Sequence, residues 1–190
     1  VGNLGRSVVV SVTPADPAVE VVSLGGWLAR AAGGTVTAVV VVPEHLTLEH
    51  LPLAQRLLEH LEQLGSATGA DADALYRLDA SATDGLLHEI VERDATALLV
   101  PWDGRVSAEG WVFGSELDRL GERSPVPVAA VRLAAEVQRI VVPMPADDLA
   151  MTLATALSGG GRLPLHTVDA AAAADQHGSD GDALQPGDLL

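Results

Sequence analysis

A chain of 190 residues, 48% hydrophobic and 19% charged, can bury the core of one full domain plus a smaller unit, which excludes a disordered chain. The formal net charge of −15, from 26 acidic and 11 basic side chains, excludes non-specific binding to nucleic acid or to an anionic membrane surface, both of which need a basic footprint. Every basic side chain is arginine, so lysine-based chemistries such as a Walker A loop or a Schiff base are excluded, and the absence of cysteine removes thiol catalysis, disulfides and cysteine zinc sites.

Aromatic residues make up only 3% of the chain, so the core must be built from Val, Leu, Ile and Ala. The β-branched run Arg6–Val12 reads as a buried strand ended by Pro14 and Pro17. A helix follows from Pro17 to Ala32, with Gly33 and Gly34 as its stop signal. Thr35–Val42 is a second buried strand. Ala54, Leu57, Leu58, Leu61 and Leu64 recur at helical spacing, and Gly65 is expected to close that helix. A short strand is expected over Ala74–Leu78. Ser81-Ala82-Thr83-Asp84 fits a capping box, opening a helix with Leu86, Leu87, Ile90 and Val91 on one face. Thr96–Val100 is a strand, Pro101–Gly110 a glycine-containing loop, Ser115–Arg123 a short helix and Val126–Val131 a fifth strand.

Strands that alternate with helices and are apolar almost throughout imply a parallel sheet covered on both faces. The expected fold is therefore α/β, a doubly wound, Rossmann-like sheet of five parallel strands. Ligands of such sheets sit beyond the carboxyl ends of the strands where the strand order reverses. That rule places candidate contacts at Thr13, around Val41, and in the loop from Pro101 to Ser115.

After Leu133 the pattern restarts. Arg139–Pro143 echoes the first strand, Asp147–Leu157 its helix, Gly159–Gly161 a break in that helix, and Leu163–Val168 a further strand. An Ala-, Asp- and Gly-rich linker occupies 169–183, and Gly187–Leu190 reads as a last short strand. The division is thus residues 1–133 as one α/β domain and 134–190 as an incomplete second repeat. The repeat is too small to bury its own core, so it is expected to pack on the first domain or on a partner.

Gly104 to Val131, GRVSAEGWVFGSELDRLGERSPVPVAAV, carries the most specific pattern. Gly104 and Gly114-Ser115 stand at G-x9-G-S spacing, ahead of a short helix and the segment Ser124-Pro125-Val126-Pro127-Val128. This resembles the universal stress protein family, whose signature is a G-x2-G-x9-G-[ST] loop, a short helix and a P-x-P-V strand. Glycines let backbone approach a phosphate, and the amides at a helix start favour an anion. The resemblance implies a site for ATP, AMP or another adenine nucleotide formed by Thr13, Val41, Gly104, Arg105, Gly114 and Ser115, with no catalytic residue and no metal ligand. It also implies dimers formed through the fifth strand.

The sequence departs from the family pattern at three places. Pro101 replaces the first loop glycine and removes an amide donor. Thr13 stands where nucleotide-binding members have an aspartate. Glu116 follows Ser115 directly, and with Asp103 and Glu109 it opposes a polyphosphate unless Arg105 or a metal offsets the charge. The Pro101–Gly104 loop and GSELDRL after it are also similar to the universal-stress-like tails of cation/proton antiporters and amino-acid permeases. Opening at Val1 rather than Met fits a piece excised from such a protein. The expectation is a non-catalytic regulatory or nucleotide-sensing domain, cytoplasmic or at the cytoplasmic face of the inner membrane, covalently attached to a membrane transporter. A free-standing universal stress protein binding ATP or AMP, and a ligand-free interaction module, are the alternatives.

Other features read as structural. His45, His50, His60, His88, His166 and His177 form no metal-site spacing. Ser115 lacks a nucleophile elbow. Gly159–Gly161 follows a helix rather than opening one, so it is read as a cap and not a phosphate loop. Thr13-Pro14-Ala15-Asp16-Pro17 is no phosphate loop after the first strand, which argues against an ATP-cleaving hydrolase or ligase.

Overall fold

The computed structural model describes residues 3–12, 19–43, 51–102, 115–131, 139–144, 146, 148–161, 163–169 and 188–189. Strands β1 (Ser7–Val12), β2 (Thr35–Pro43), β3 (Asp71–Asp79), β4 (Ala97–Pro101) and β5 (Val128–Val131) form one sheet in the order β3-β2-β1-β4-β5. All four pairings are parallel. The expected doubly wound α/β sheet is the fold observed. Helices α1 (Val19–Ala32) and α2 (Leu51–Ala67) cover one face, while α3 (Ala82–Glu92) and α4 (Ser115–Arg123) cover the other. Because β-strand side chains alternate, Val8, Val10 and Val12 of β1 pack toward α1, and Val9 packs toward α3 with Leu86 and Ile90.

Helix α1 is buried on most of its circumference. Val21, Val22, Leu24, Gly25, Gly26, Leu28 and Ala29 are all buried. Gly25 lets it lie directly on the sheet, since a Cβ there would sit 2.5 Å from Val10 Cγ2 and 3.1 Å from Val36 Cγ2. Gly33 ends the helix as expected, with φ of +65°, and the Gly34 amide donates to Ala29 O at 2.9 Å.

Several expected boundaries move. Gly65 does not close α2, which runs to Ala67; it faces the sheet, where a Cβ would meet Ala72 Cβ at 2.7 Å, so close packing outweighs glycine's poor propensity. Strand β3 spans Asp71–Asp79 rather than Ala74–Leu78, because it pairs with β2 along its whole length and its extra acidic residues sit at a sheet edge where charge is tolerated. In α3, Leu86 and Ile90 are buried and Leu87 half-buried, but Val91 is 68% exposed and the carboxylate of Glu89 takes the inner position. Ser81 caps α3 as expected, its Oγ accepting from the Asp84 amide at 3.1 Å; the reciprocal bond differs, since Ser81 Oγ donates to Asp84 Oδ2 at 2.8 Å. Thr96 precedes β4 rather than joining it, and its Oγ1 accepts from the Ser7 amide at 3.1 Å. Strand β5 starts at Val128, after a turn in which Ser124 Oγ bonds both the amide and the carbonyl of Val126.

Beyond β5, strands β6 (Arg139–Met144), β7 (Leu165–Asp169) and β8 (Asp188–Leu189) form a separate parallel sheet in the order β7-β6-β8. Helix α5 (Asp148–Gly161) joins β6 to β7, so this order reproduces that of β2, β1 and β4 in the first sheet. The expected break at Gly159–Gly161 is not present, and all three glycines are helical. Helix α5 packs on α1: Ile140, Val142, Ala154, Ala156 and Leu157 belong to the same core as Leu24 and Leu28. Three glycines forfeit about 1 kcal/mol each against alanine, and the last turn survives because a Cβ at Gly160 would overlap the carbonyl oxygen of Trp27. Of the linker expected over 169–183, Asp169 instead ends β7, and the remainder lies outside the described residues.

Replacing Gly25 by alanine should lower unfolding stability by about 1–3 kcal/mol, since overpacking against Val10 outweighs the gain in helix propensity. Urea denaturation measures this, and a variant as stable as the parent would contradict the close α1–sheet contact.

Candidate functional site

Strand β1 leads into α1 on one face of the sheet and β4 leads toward α4 on the other, and the rule for such sheets puts a ligand crevice beyond the carboxyl ends of these two neighbours. Val10 pairs with Leu99, and the two strands end at Val12 and Pro101. Pro101 is the last residue of β4, in register with Val131, rather than the first residue of a loop. A fixed φ suits an extended strand end, and the next amide, Trp102 N–H, donates to Val131 O at 2.8 Å. The missing donor at Pro101 therefore leaves the β4–β5 pairing intact.

Val12 pairs with Val40, so Val41 lies one residue beyond the β1–β2 ladder, on the rim of the crevice. Its side chain is committed to packing, because a Cβ at Gly85 of α3 would lie 2.7 Å from Val41 Cγ1. Backbone, not side chain, is what Val41 offers at the rim. Ser115 begins α4, whose first-turn amides carry the positive end of the helix dipole. Thr13, which directly follows β1, and Gly104, Arg105 and Gly114, which belong to the segment joining Trp102 to Ser115, lie outside the described residues, as does the side chain of Ser115.

A charged cluster lies between β3 and α3. Glu89 is only 4% exposed and is gripped by Arg77 Nη1 and by Arg93 Nε, each at 2.7 Å. Arg77 also holds Glu92 through both terminal nitrogens at 2.8 Å, and Arg93 reaches Asp73 at 2.8 Å. The Glu92 bonds raise Arg77 above the usual guanidinium range despite its partial burial. Burial opposes the charge on Arg93, but hydrogen bonds to Glu89 and Asp73 outweigh it and raise its pKa. Asp79 Oδ2 accepts from His88 Nδ1 at 2.8 Å, and this bond, with the Ala80 amide, holds the Asp79 carboxyl below the ordinary range. Across the helix layer, Arg123 of α4 meets Asp84 of α3 at 3.0 Å. These groups pair with one another except at Arg77 Nε, which is buried without a hydrogen bond and lies 3.6 Å from Asp79 Oδ2, and the cluster acts as a structural clamp. Among the described residues, no group of three or more His, Asp or Glu side chains is placed to hold a metal ion.

The amino ends of β1, β2 and β4 border an open polar cleft of about 770 Å3 between Asn3, Arg6, Thr35, Arg93, Asp94 and Thr96. Helix α3 ends beside it, and Arg93 at that end pairs with Glu89 and Asp73.

The sequence profile of the universal stress protein family matches residues 5–132, which spans the whole five-stranded sheet. The chain belongs to the universal stress protein family. Solved structures agree. A universal stress protein from Archaeoglobus fulgidus in complex with dAMP is 21% identical, covering 66% of this chain and 96% of that one, with a TM-score of 0.55. A universal stress protein in complex with cAMP is 21% identical, covering 67% of this chain and 96% of that one, also with a TM-score of 0.55. A putative universal stress protein from Pseudomonas aeruginosa is 14% identical with a TM-score of 0.60; it covers 86% of this chain, which spans only 61% of that longer one. At these identities the shared property is the fold. No curated protein sequence matches the chain.

Within this family member, the charged cluster is what the sequence reading missed. Its signal was present in the Glu89–Arg93 spacing of one helical turn, but nothing in the sequence alone sets Arg77 opposite Glu89. Glu89→Ala should cost about 2 kcal/mol, because it removes the buried carboxylate that both arginines grip, each keeping only its more exposed partner, Glu92 or Asp73. Glu92→Ala, which removes a carboxylate that is 62% exposed, should change stability little. Equal thermal shifts for the two variants would refute the clamp.

Proposed function

We propose that this universal stress protein is a non-catalytic sensor that binds an adenine nucleotide in the crevice between the carboxyl ends of β1 and β4. The observation that carries this reading is the strand order itself, which reverses between β1 and β4, with α4 following β4 in the chain; sheets of this kind take ligands at that position. Two proteins of similar fold bind cAMP and dAMP, which supports the nucleotide class. In this reading Val41 contributes backbone to the base, Gly104 and Gly114 allow close approach of the phosphates, and Arg105 with the Ser115 hydroxyl and the α4 amides neutralises them. Glu116, directly after Ser115 in the sequence, favours a nucleotide with few phosphate charges, AMP or a cyclic nucleotide over ATP.

Binding would act by stabilising one packing of the chain, not by bond chemistry. At a hundredfold excess over Kd the ligand adds about 2.7 kcal/mol, which for a chain of this size raises Tm by roughly 5–10 °C. Thermal denaturation with ATP, AMP and cAMP should show that rise, reduced in Arg105→Ala, with the ATP recovered unhydrolysed. No shift with any adenine nucleotide at millimolar concentration would leave the ligand-free interaction module as the better reading.

Strand β5 lies at the edge of its sheet, paired with β4 on one side, and an edge strand invites a second copy of the chain. Light scattering behind a sizing column should give twice the 19.5 kDa chain mass. A monomer at every concentration would rule the β5 pairing out. Attachment to a transporter has the likeness of Pro101–Gly104 and Gly114–Leu120 to transporter tails as its support. Among the described residues no helix is long and apolar enough to cross a membrane. The nucleotide reading holds in either arrangement.

A further inference from the structure

The last turn of α5 consists of Ser158 followed by Gly159, Gly160 and Gly161. Glycine gains more backbone freedom on unwinding than any other residue, so this turn has little tendency to be helical alone. It is helical where it meets α1. Gly160 stands so close to the Trp27 backbone that a Cβ would overlap the carbonyl oxygen. Gly161 lies beneath the Trp27 indole, where a Cβ would come within 2.9 Å of Cδ2 and 3.0 Å of Cε3. The chain leaving the turn is tied back to it, with the Leu163 amide donating to Ser158 O at 3.1 Å and Ser158 Oγ donating to Leu163 O at 2.6 Å.

Gly159 breaks this logic. Among the described residues nothing lies within 4 Å of the position its Cβ would occupy, so none of them excludes alanine there. Its effect is to weaken the turn without improving the contact, which couples helix formation to docking.

We propose that the glycine turn of α5 and Trp27 of α1 form a conformational latch. The turn is helical only while it is docked, and loss of the Trp27 contact unwinds residues 158–163 and frees the C-terminal β-α-β unit from α1. The two states are discrete because the close approach at Gly160 is either made or lost. The latch is independent of the nucleotide crevice, and neither proposal requires the other.

Amide hydrogen exchange on the full chain, read at residues 158–163, 24–30 and in β1, tests it. Gly159→Ala should slow exchange at 158–163 about fivefold, the equivalent of about 1 kcal/mol of helix propensity. Gly160→Ala brings the same propensity gain but blocks docking, so exchange at 158–163 should rise about tenfold or more and spread to 24–30. Trp27→Ala should likewise deprotect 158–163. If Gly160→Ala slows exchange as Gly159→Ala does, or if Trp27→Ala leaves 158–163 unchanged, the latch does not exist. Loss of protection in β1 in both Gly160→Ala and Trp27→Ala would also overturn it, since α5 would then belong to one indivisible core.

Discussion

The close approach of α1 to its neighbours is the constraint from which the rest of the architecture follows. A helix resting on a sheet normally sits back by the depth of its side chains, yet Gly25 brings α1 down onto Val10 and Val36. Gly26 does the same toward the turn that follows α2, where a Cβ would meet Thr68 Cγ2 at 2.7 Å. Gly65 returns the approach from α2 toward Ala72 of β3. Three elements are thereby locked with little volume between them, and at interior packing density small displacements are costly. A core of Val, Leu and Ala with almost no aromatic residues can be dense only in this way, because it lacks large side chains to fill wider gaps. With α1 held low, its outer surface around Trp27 lies within reach of α5, and the second sheet is hung from that contact.

The opposite face is organised by charge. Glu89 is buried beneath α3 where a leucine would serve an ordinary amphipathic helix, and two arginines from β3 and α3 make that burial tolerable. A buried ion pair contributes little net stability against apolar residues of similar size, but losing one partner is expensive. Such a cluster therefore fixes position more than it adds stability: α3 meets β3 where Arg77 and Asp73 bridge to its carboxylate and arginine. In a chain with net charge −15, placing scarce arginines on this edge also relieves repulsion among Asp73, Asp79, Glu89 and Glu92.

How much of this was legible in the sequence depends on the range of the interactions. Buried strands such as Val8–Val12 and Thr35–Val42 announce themselves through unbroken β-branched runs, and their alternation with helices implies the parallel sheet. The family pattern at Gly104, Gly114 and Ser115 carried the family assignment that the match over residues 5–132 makes plain. Glycine was where the reading failed. Gly33, Gly65 and Gly159–Gly161 look alike as stop signals, but only Gly33 takes a positive φ. The others are glycine because another element presses on the backbone, or, at Gly159, with no neighbour among the described residues that demands it. Burial of Glu89 was equally invisible, since its arginine partners lie on another element or require the helix to face inward. As for the candidate site, the sequence supplied its residues and the structure its frame: Val41 lies one residue past the β1–β2 ladder and Ser115 opens α4, while Thr13, Gly104, Arg105 and Gly114 fall outside the described residues.

Pro101 shows why fold and site vary separately in this protein. In the sequence it looks like damage to a phosphate loop, a proline where the family pattern has glycine. In the structure it completes β4, pairs in register with Val131 and hands the next hydrogen bond to Trp102. The requirements of the sheet are met by any residue that accepts an extended φ without needing its own amide there. The requirements of a phosphate differ, because they fall on backbone amides and local charge. Selection on the first leaves the second free to change, so an intact five-stranded sheet coexists with altered residues at Thr13, Pro101 and Glu116. Strand order locates the crevice; the charges placed around it decide which anion, if any, it accepts.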